Sequence, residues 1–212
     1  MCNPFPVASE RFIDSTAGRL GVAFLVTLLA SEAALSLPDE TAGGAAVAAF
    51  YQAHRPFIVV LQLAGLLGSG LLAVFAWRLR ELGRGVAVAG LVLSVAALAP
   101  VVLTLAIAVV ADPRSPARAG TLNQWEPRGD DLLFLCVTVF AVTVLALGRR
   151  APRWLTVLGG AAAVCCALRL ASEAFGRDRG VLETLAPVSF LVLVGALATV
   201  CFRGYRPARP AR

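Results

Sequence analysis

The sequence contains no lysine and only one histidine, His54, among its 212 residues. Without lysine the chain cannot hold retinal or pyridoxal phosphate as a Schiff base, and it lacks the lysine of a phosphate-binding loop. A single histidine excludes a bis-histidine haem site and a three-histidine zinc hydrolase. Several common classes of enzyme and cofactor protein are therefore excluded, and we expect neither enzymatic activity nor a cofactor.

Cysteine is also sparse, with five residues in the chain. Cys2 lies near the start, and the other four fall inside apolar stretches, where Cys165 and Cys166 are adjacent. Adjacent cysteines match neither a redox Cys-x-x-Cys motif nor the spacing of metal ligands. We predict small buried packing residues, including Cys136 and Cys201, rather than a disulfide framework.

Apolar residues, by contrast, make up 58% of the chain, and the mean hydropathy is +0.80. A helix needs about 20 apolar residues to cross roughly 30 Å of hydrocarbon. The sequence therefore predicts an all-α polytopic membrane protein, with a six-helix transmembrane domain at 18–202 between an N-terminal segment, 1–17, and a basic tail, 203–212. The predicted spans are 18–37, 56–78, 86–110, 131–148, 154–175 and 182–202. The first span is too long for the core of a signal peptide, so we expect it to be retained.

The arginines are unevenly divided between the two ends of these predicted helices. The N-terminal segment, the turns at 78–85 and 148–153 and the tail hold twelve arginines and three acids, whereas the opposite side holds seven arginines and ten acids. Short cytoplasmic loops retain positive charge. We therefore predict a multi-pass protein of the cell membrane with both termini in the cytoplasm. The basic face should contact anionic lipid headgroups, and we expect no nucleic-acid partner.

Two longer connections lie on the other side. Residues 38–55 are predicted to form a short surface helix carrying aromatic side chains, and residues 111–130 an irregular cap around Trp125. Pro56 is predicted to open the second span, where its missing amide donor costs nothing. Pro100 and Pro187 fall inside later spans, where each should free one backbone carbonyl.

Polar residues recur at a similar depth in the outer half of three spans. Glu32, Gln62 and Arg169 each lie about five residues from the middle of a span, or roughly 7 Å at 1.5 Å per residue. An ionised group near the middle of a bilayer costs about 2.5–3.5 kcal/mol, so these side chains should face the bundle interior. Glu173 lies one turn beyond Arg169, which could therefore bridge Glu173 and Glu32.

This layer has two interpretations. A buried ion pair could fix the register of the helices and do nothing else. Alternatively, the residues form an outward-facing polar site for a small solute or a lipid headgroup. The candidate ligand-binding residues are Glu32, Gln62, Arg169 and Glu173, with His54, Arg55 and Asp131 above them, although His54 alone is typical of an interfacial surface residue. No metal ligand set is predicted.

Two classes of function follow from these interpretations. The chain is either a membrane protein that binds or passes a small solute, or an accessory subunit that contacts a partner membrane protein or a second copy of itself. Small residues favour close helix packing in either case. They are Gly65, Gly68, Ser69, Gly90, Ser94, Gly159 and Ala163.

Three short motifs between residues 15 and 84 carry a resemblance to a known group of proteins. They are Ala-Gly-Arg at 17–19, Ala-Phe-Tyr-Gln-Ala-His-Arg at 49–55 and Phe-Ala-Trp-Arg-Leu-Arg-Glu-Leu at 75–82. With these motifs the chain resembles a widespread family of uncharacterised bacterial integral membrane proteins with six spans. The resemblance implies a six-span fold and implies no activity.

Overall fold

A computed structural model describes residues 15–32, 34–38, 41–176 and 180–204, without the side chains of Glu32 and Arg149. The described residues form α-helices and short 3-10 turns, and no strand occurs among them. The helices are α1 (Ser15–Glu32), α2 (Gly44–Arg78), α3 (Arg84–Ala96), α4 (Leu98–Val110), α5 (Ala117–Asn123), α6 (Glu126–Leu145), α7 (Arg153–Ala174) and α8 (Leu182–Phe202). The predicted all-α class is confirmed.

The long helices are arranged as a closed ring in chain order. Helix α1 packs between α2 and α8, α7 packs between α6 and α8, and α3 joins α2 to α6. The ends that carry the arginine-rich turns at 78–84 and 148–153 lie together at one end of this ring. A continuous apolar core fills that end, with Phe75, Leu79 and Leu155 fully buried.

Within the described residues, four helical segments are long and apolar enough to cross a membrane. They are Gly44–Glu81, Arg84–Val110, Arg153–Ala174 and Leu182–Phe202. Helix α1 is apolar but shorter, and α6 carries Glu126, Arg128, Asp130 and Asp131 in its first two turns. Large apolar side chains also cover the outer surface of the ring, such as Leu67, Val95 and Val157. Such an exterior needs lipid around it, which indicates a membrane-embedded protein.

The prediction of a separate surface helix at 38–55 is wrong. Helix α2 runs without interruption through Pro56, and its 35 residues extend for about 52 Å, well beyond the thickness of the hydrocarbon. The turns of α2 that precede Pro56 remain helical because Val47, Ala48 and Tyr51 are completely buried against α4 and α5. This burial compensates for the hydrogen bond that Pro56 removes from the helix.

The predicted irregular cap at 111–130 contains regular structure. Helix α5 and the first turn of α6 fall within it, and Ala119 is fully buried against the extended part of α2. Helices α2 and α5 approach each other closely at Gly44 and Gly120. A Cβ at Gly120 would lie 2.9 Å from the Cα of Gly44. This second apolar cluster therefore sits at the end of the ring opposite the arginine-rich turns.

The third predicted span is one segment with a break in it. Helices α3 and α4 meet at Ala97, three residues before Pro100. A proline inside a helix removes an amide donor and its ring displaces the carbonyl four residues earlier, which is that of Ala96. The break is therefore placed where the sequence predicts a freed carbonyl.

Candidate functional site

A cavity of about 580 Å³ lies inside the ring, at the end away from the arginine-rich turns. Its walls come from α1, α2, α3, α4, α6 and α8, together with residues 35–38, while α7 contributes nothing to them. On α2 the lining extends from Ile58 to Leu72, a depth of about 21 Å at 1.5 Å per residue. The volume falls within the range of about 300–1,000 Å³ that small-molecule pockets occupy.

The two ends of the cavity differ in polarity. Its inner end is mainly apolar and includes Phe24, Leu93 and Phe190, while the hydroxyl of Ser69 there donates to the carbonyl of Gly65. Its outer end is polar and includes the hydroxyl groups of Ser31, Ser36 and Thr104, the amide of Gln62 and three carboxylates. A solute inside the cavity would therefore contact apolar side chains at the inner end and hydrogen-bonding groups at the outer end.

The three carboxylates are those of Glu126 and Asp130 on α6 and of Glu183 on α8. Glu126 and Asp130 are four residues apart, so one turn of helix places both on the face that lines the cavity. Thr104 donates a hydrogen bond of 3.3 Å from its hydroxyl to the carboxylate of Glu126. Among the described residues that line the cavity, none is arginine or histidine.

Tyr51 lies behind this part of the wall. Its side chain is fully buried, and its hydroxyl group makes no hydrogen bond of normal geometry with the described residues. The hydroxyl of Thr104 lies close enough to that of Tyr51 for a hydrogen bond of poorer geometry, and the charge of Glu126 also acts on Tyr51. A buried hydroxyl without a hydrogen bond is costly, and Thr104, which lines the cavity, is the group placed to satisfy it.

The ion pair lies on the other side of α6. Asp131 follows Asp130 directly, and consecutive helical residues point about 100° apart, so Asp131 faces α7 instead of the cavity. There the guanidinium of Arg169 donates to the Asp131 carboxylate at 3.4 Å and lies 3.9 Å from the centre of the Phe134 ring. The side chain of Arg169 is 4% exposed and that of Asp131 is 27% exposed. The Arg169 Nε atom is buried and makes no hydrogen bond with the described residues.

The predicted polar layer is thus divided between two places. Gln62 lines the cavity, whereas Arg169 and Asp131 meet behind it. Glu173 is half-buried further along α7, and the salt bridge of Arg169 runs to Asp131 on another helix instead of to Glu173. The expected bridge to Glu32 falls outside the described side chains.

His54 and Arg55 do not roof the cavity, contrary to expectation. Both are exposed on the extended part of α2. The His54 ring packs 4.5 Å from the ring of Phe50, and its Nδ1 lies 3.0 Å from the Phe50 carbonyl oxygen. Arg55 donates a 3.0 Å hydrogen bond to the carbonyl of Ala111, just after the end of α4. The Arg55 contact joins α2 to the end of α4, whereas both His54 contacts lie within α2.

Sequence reasoning missed Glu126, Asp130, Glu183 and Thr104 as cavity residues. The i, i+4 spacing of Glu126 and Asp130 was a usable signal, but it lay in a stretch predicted to be irregular. The cysteines follow the prediction more closely: four carry free thiols, and Cys166 and Cys201 are fully buried. Within the described part of the chain, no three histidine, cysteine or acidic side chains come together as metal ligands.

Neither models of protein families, nor curated proteins, nor solved structures yield a match to this chain.

Proposed function

We propose that this chain is a six-span protein of the cell membrane, with both ends in the cytoplasm, whose cavity binds a small polar solute from the opposite side. No reaction is assigned to it. The cavity itself carries the proposal, because it combines a volume of about 580 Å³ with a polar outer end and an apolar inner end.

The ring supports six spans although four helical segments meet the criteria of length and hydropathy. Helix α1 packs against α2 and α8, and α6 packs against α3 and α7, so each occupies a place in the ring between apolar neighbours. The acids at the start of α6 face the cavity or Arg169, and the exposed Arg128 stacks on the ring of Trp125. The resemblance of residues 15–84 to a six-span family favours the same number.

The distribution of charge supports the orientation. Arg78, Arg84 and Arg153 lie at the end of the ring opposite the cavity. Positive charge is retained on the cytoplasmic side, so the polar end of the cavity is assigned to the outer side. Trp77 and Trp154 lie close to those arginines, as expected of aromatic residues at a membrane surface.

Cysteine labelling from outside the cell tests this proposal. In a variant lacking the native cysteines, Ser69→Cys places a thiol on the cavity wall, whereas Gly70→Cys places one on the exposed, lipid-facing side of the same helix. We expect a membrane-impermeant thiol reagent to modify Ser69→Cys in intact cells and to leave Gly70→Cys unmodified. Adding Gln62→Phe should fill the cavity and slow the labelling at least tenfold, whereas adding Gln62→Ala should not.

An unreactive Ser69→Cys in a folded protein would contradict the solute-binding function. The accessory function would then be preferred, because a subunit that acts through helix contacts needs no accessible cavity. Labelling only after the cells are opened would instead contradict the orientation.

A further inference from the structure

We propose that a phospholipid binds to the outside of the ring, with an acyl chain in a groove between α3 and α6 and its phosphate at Arg128. The site lies in the leaflet on the side of the polar end of the cavity, where α6 begins. It is separate from the cavity and does not depend on a solute being bound there. The proposal is carried by the apolar lining of the groove, by the contacts that hold it open and by the position of Arg128.

The groove is a recess of about 420 Å³ on the lipid-facing surface. Among its six lining side chains, the thiol of Cys136 is the only group that is not hydrocarbon. The others are Leu91, Val92, Val95 and Ala96 on α3 and Leu132 on α6. Val92, Val95 and Leu132 are exposed, so the recess is open to the surrounding lipid. A polar group would find no hydrogen-bonding partner there, so the lining favours a hydrocarbon chain.

Close contacts between helices bound the groove at both ends. At the outer end, a Cβ at Gly129 would lie 3.6 Å from the backbone nitrogen of Pro100, so α4 lies directly against α6. At the inner end, a Cβ at Gly90 would lie 3.2 Å from the ring of Phe140, so α3 also approaches α6 closely. The lining residues of both helices lie between these two contacts in the chain. Because the ends already touch, the helices cannot move together to fill the recess.

Arg128 lies on the same face of α6 as the groove. Arg128, Leu132 and Cys136 follow one another at intervals of four residues, which places them in one row along the helix. Arg128 is at the end of this row nearer the start of α6. Its side chain is exposed, and its guanidinium carbon lies 4.2 Å from the centre of the Trp125 ring. A tryptophan and a long basic side chain are both typical of the membrane surface.

The guanidinium of Arg128 is suited to a lipid phosphate. The Trp125 ring covers the face of the guanidinium, whereas the N–H donors point outward in its plane. This planar group can donate to two oxygens of one phosphate. Glu126 and Asp130 are each two residues away, which places them on nearly the opposite side of α6, where they line the cavity.

The depths of the two parts also agree. Arg128 and Leu132 are four residues apart, or about 6 Å along the helix. A phosphate bound at Arg128 would therefore place the beginning of an acyl chain beside Leu132. Any arginine at a membrane surface meets headgroups. The groove in the same row is what would hold one lipid in place.

The same arginine disfavours a second copy of this chain as the occupant. In a symmetrical dimer packed on this groove, the same patch of both copies forms the interface. Both Arg128 side chains would then lie at the same end of the interface and at the same depth. Like charges placed together across an interface are unfavourable.

Protection of Cys136 from modification tests the site, because this native thiol lines the groove. A variant in which Cys136 is the only cysteine is purified in detergent and stripped of lipid, and its reaction with N-ethylmaleimide is timed. A few mole per cent of phosphatidylglycerol or phosphatidylcholine should slow the reaction at least fivefold. Diacylglycerol with the same chains and no phosphate should slow it less than twofold. Cys165, a thiol of similar exposure on α7, is the control and should react at an unchanged rate.

Two pairs of variants test the two parts of the site separately. Arg128→Gln should reduce the protection by phosphatidylglycerol to that given by diacylglycerol, whereas Arg114→Gln, in an exposed loop on the same side, should leave it unchanged. Val95→Trp should slow the reaction of Cys136 even without lipid, because the larger side chain fills the groove. Val157→Trp should not, although Val157 on α7 is 68% exposed, as is Val95. A single peak in size-exclusion chromatography confirms that each variant is folded.

Each contrary outcome overturns the proposal in a different way. Equal protection by phosphatidylglycerol and diacylglycerol, or full protection in Arg128→Gln, would remove the phosphate contact. Equal slowing at Cys165 would show a general coating by lipid. Slowing that increases with protein concentration, together with disulfide-linked dimers through Cys136, would assign the groove to a second copy. None of these results bears on the cavity, which is tested through Ser69→Cys.

Discussion

At the scale of single residues, the most constrained side chain is that of Arg169. It reaches a carboxylate, Asp131, and an aromatic face, Phe134, from a position that is almost entirely buried. A guanidinium in that position must be charged and therefore needs its partner, since an unpaired buried charge is strongly unfavourable. Because α7 does not line the cavity, Arg169 is expected to act on the site by holding α6 in place.

A double-mutant cycle tests that role. Arg169→Leu alone should lower the free energy of unfolding by about 2–4 kcal/mol, somewhat less than for a fully buried pair because Asp131 is 27% exposed. Asp131→Leu alone should also destabilise the protein. The double variant should recover most of the loss, because apolar residues of similar size can replace a buried ion pair. Chemical unfolding in a fixed detergent measures all four proteins, and simple additivity of the two losses would contradict the pairing.

At the scale of the elements, glycines decide how closely the helices approach. A Cβ at Gly159 would lie 3.0 Å from the backbone nitrogen of Leu145 and 3.1 Å from the carbonyl oxygen of Ala141, so α6 and α7 are in backbone contact there. A Cβ at Gly90 would lie 2.6 Å from that of Ala76, between α2 and α3. The predicted packing role of these two residues is thus confirmed, and small residues replace the hydrophobic effect as the basis of association in lipid.

Neighbouring glycines on α7 provide a matched test. Gly159→Ala should lower the free energy of unfolding by about 1–3 kcal/mol, because the added methyl meets backbone atoms that cannot move aside. Gly160→Ala should be neutral, since its Cβ would find only side-chain atoms of Leu145, at 3.7 Å and beyond. Unfolding of the purified variants measures both, and equal effects would show that the close contact at Gly159 is not important for stability.

Several elements could be predicted from the sequence and others could not. The predicted spans 154–175 and 182–202 match α7 and α8 to within one residue, because arginine or proline bounds the apolar stretch before α7 and after α8. The start of α2 was misplaced because Pro56 resembles a helix start, and only burial against α4 and α5 keeps the helix continuous.

The candidate site was predictable only in part. Hydropathy located Gln62 and Arg169, because a polar residue inside an apolar stretch is conspicuous. It could not find Glu126, Asp130 or Glu183, which lie near helix starts where polar residues are common. Whether Asp130 or Asp131 faces the cavity depends on the rotation of α6 about its axis, and contacts with α7 fix that rotation.

At the scale of the whole molecule, the two ends of the ring are chemically different. One end has arginine-rich turns over a solid apolar core, and the other has a polar cavity beside the second apolar cluster formed by α2, α4 and α5. Because this second cluster lies beyond the length of helix needed to cross hydrocarbon, we expect it to be surrounded by water and headgroups.

Protease protection tests the arrangement in the membrane. A tag at the C-terminus should survive protease added to intact cells, whereas a tag inserted between Asp112 and Pro116 should be removed. The reason is that we expect the positive end of the ring to be retained in the cytoplasm. Immunoblotting of both tags gives the result, with permeabilised cells as the control in which both are cut. Loss of the C-terminal tag in intact cells would reverse the orientation.

The solid core beneath the cavity has a consequence for transport. Leu79, Leu155, Leu193 and Leu197 are completely buried between the cavity floor and the arginine-rich turns. Each such side chain is stabilised by about 1.5–3 kcal/mol when it is removed from water, so wetting all four would cost on the order of 10 kcal/mol. Each 1.4 kcal/mol changes an equilibrium constant by about a factor of ten. A continuous water-filled route through the core would therefore be present in roughly one molecule in ten million. In this conformation the cavity is closed at its inner end, and passage of a solute would require the helices to separate there.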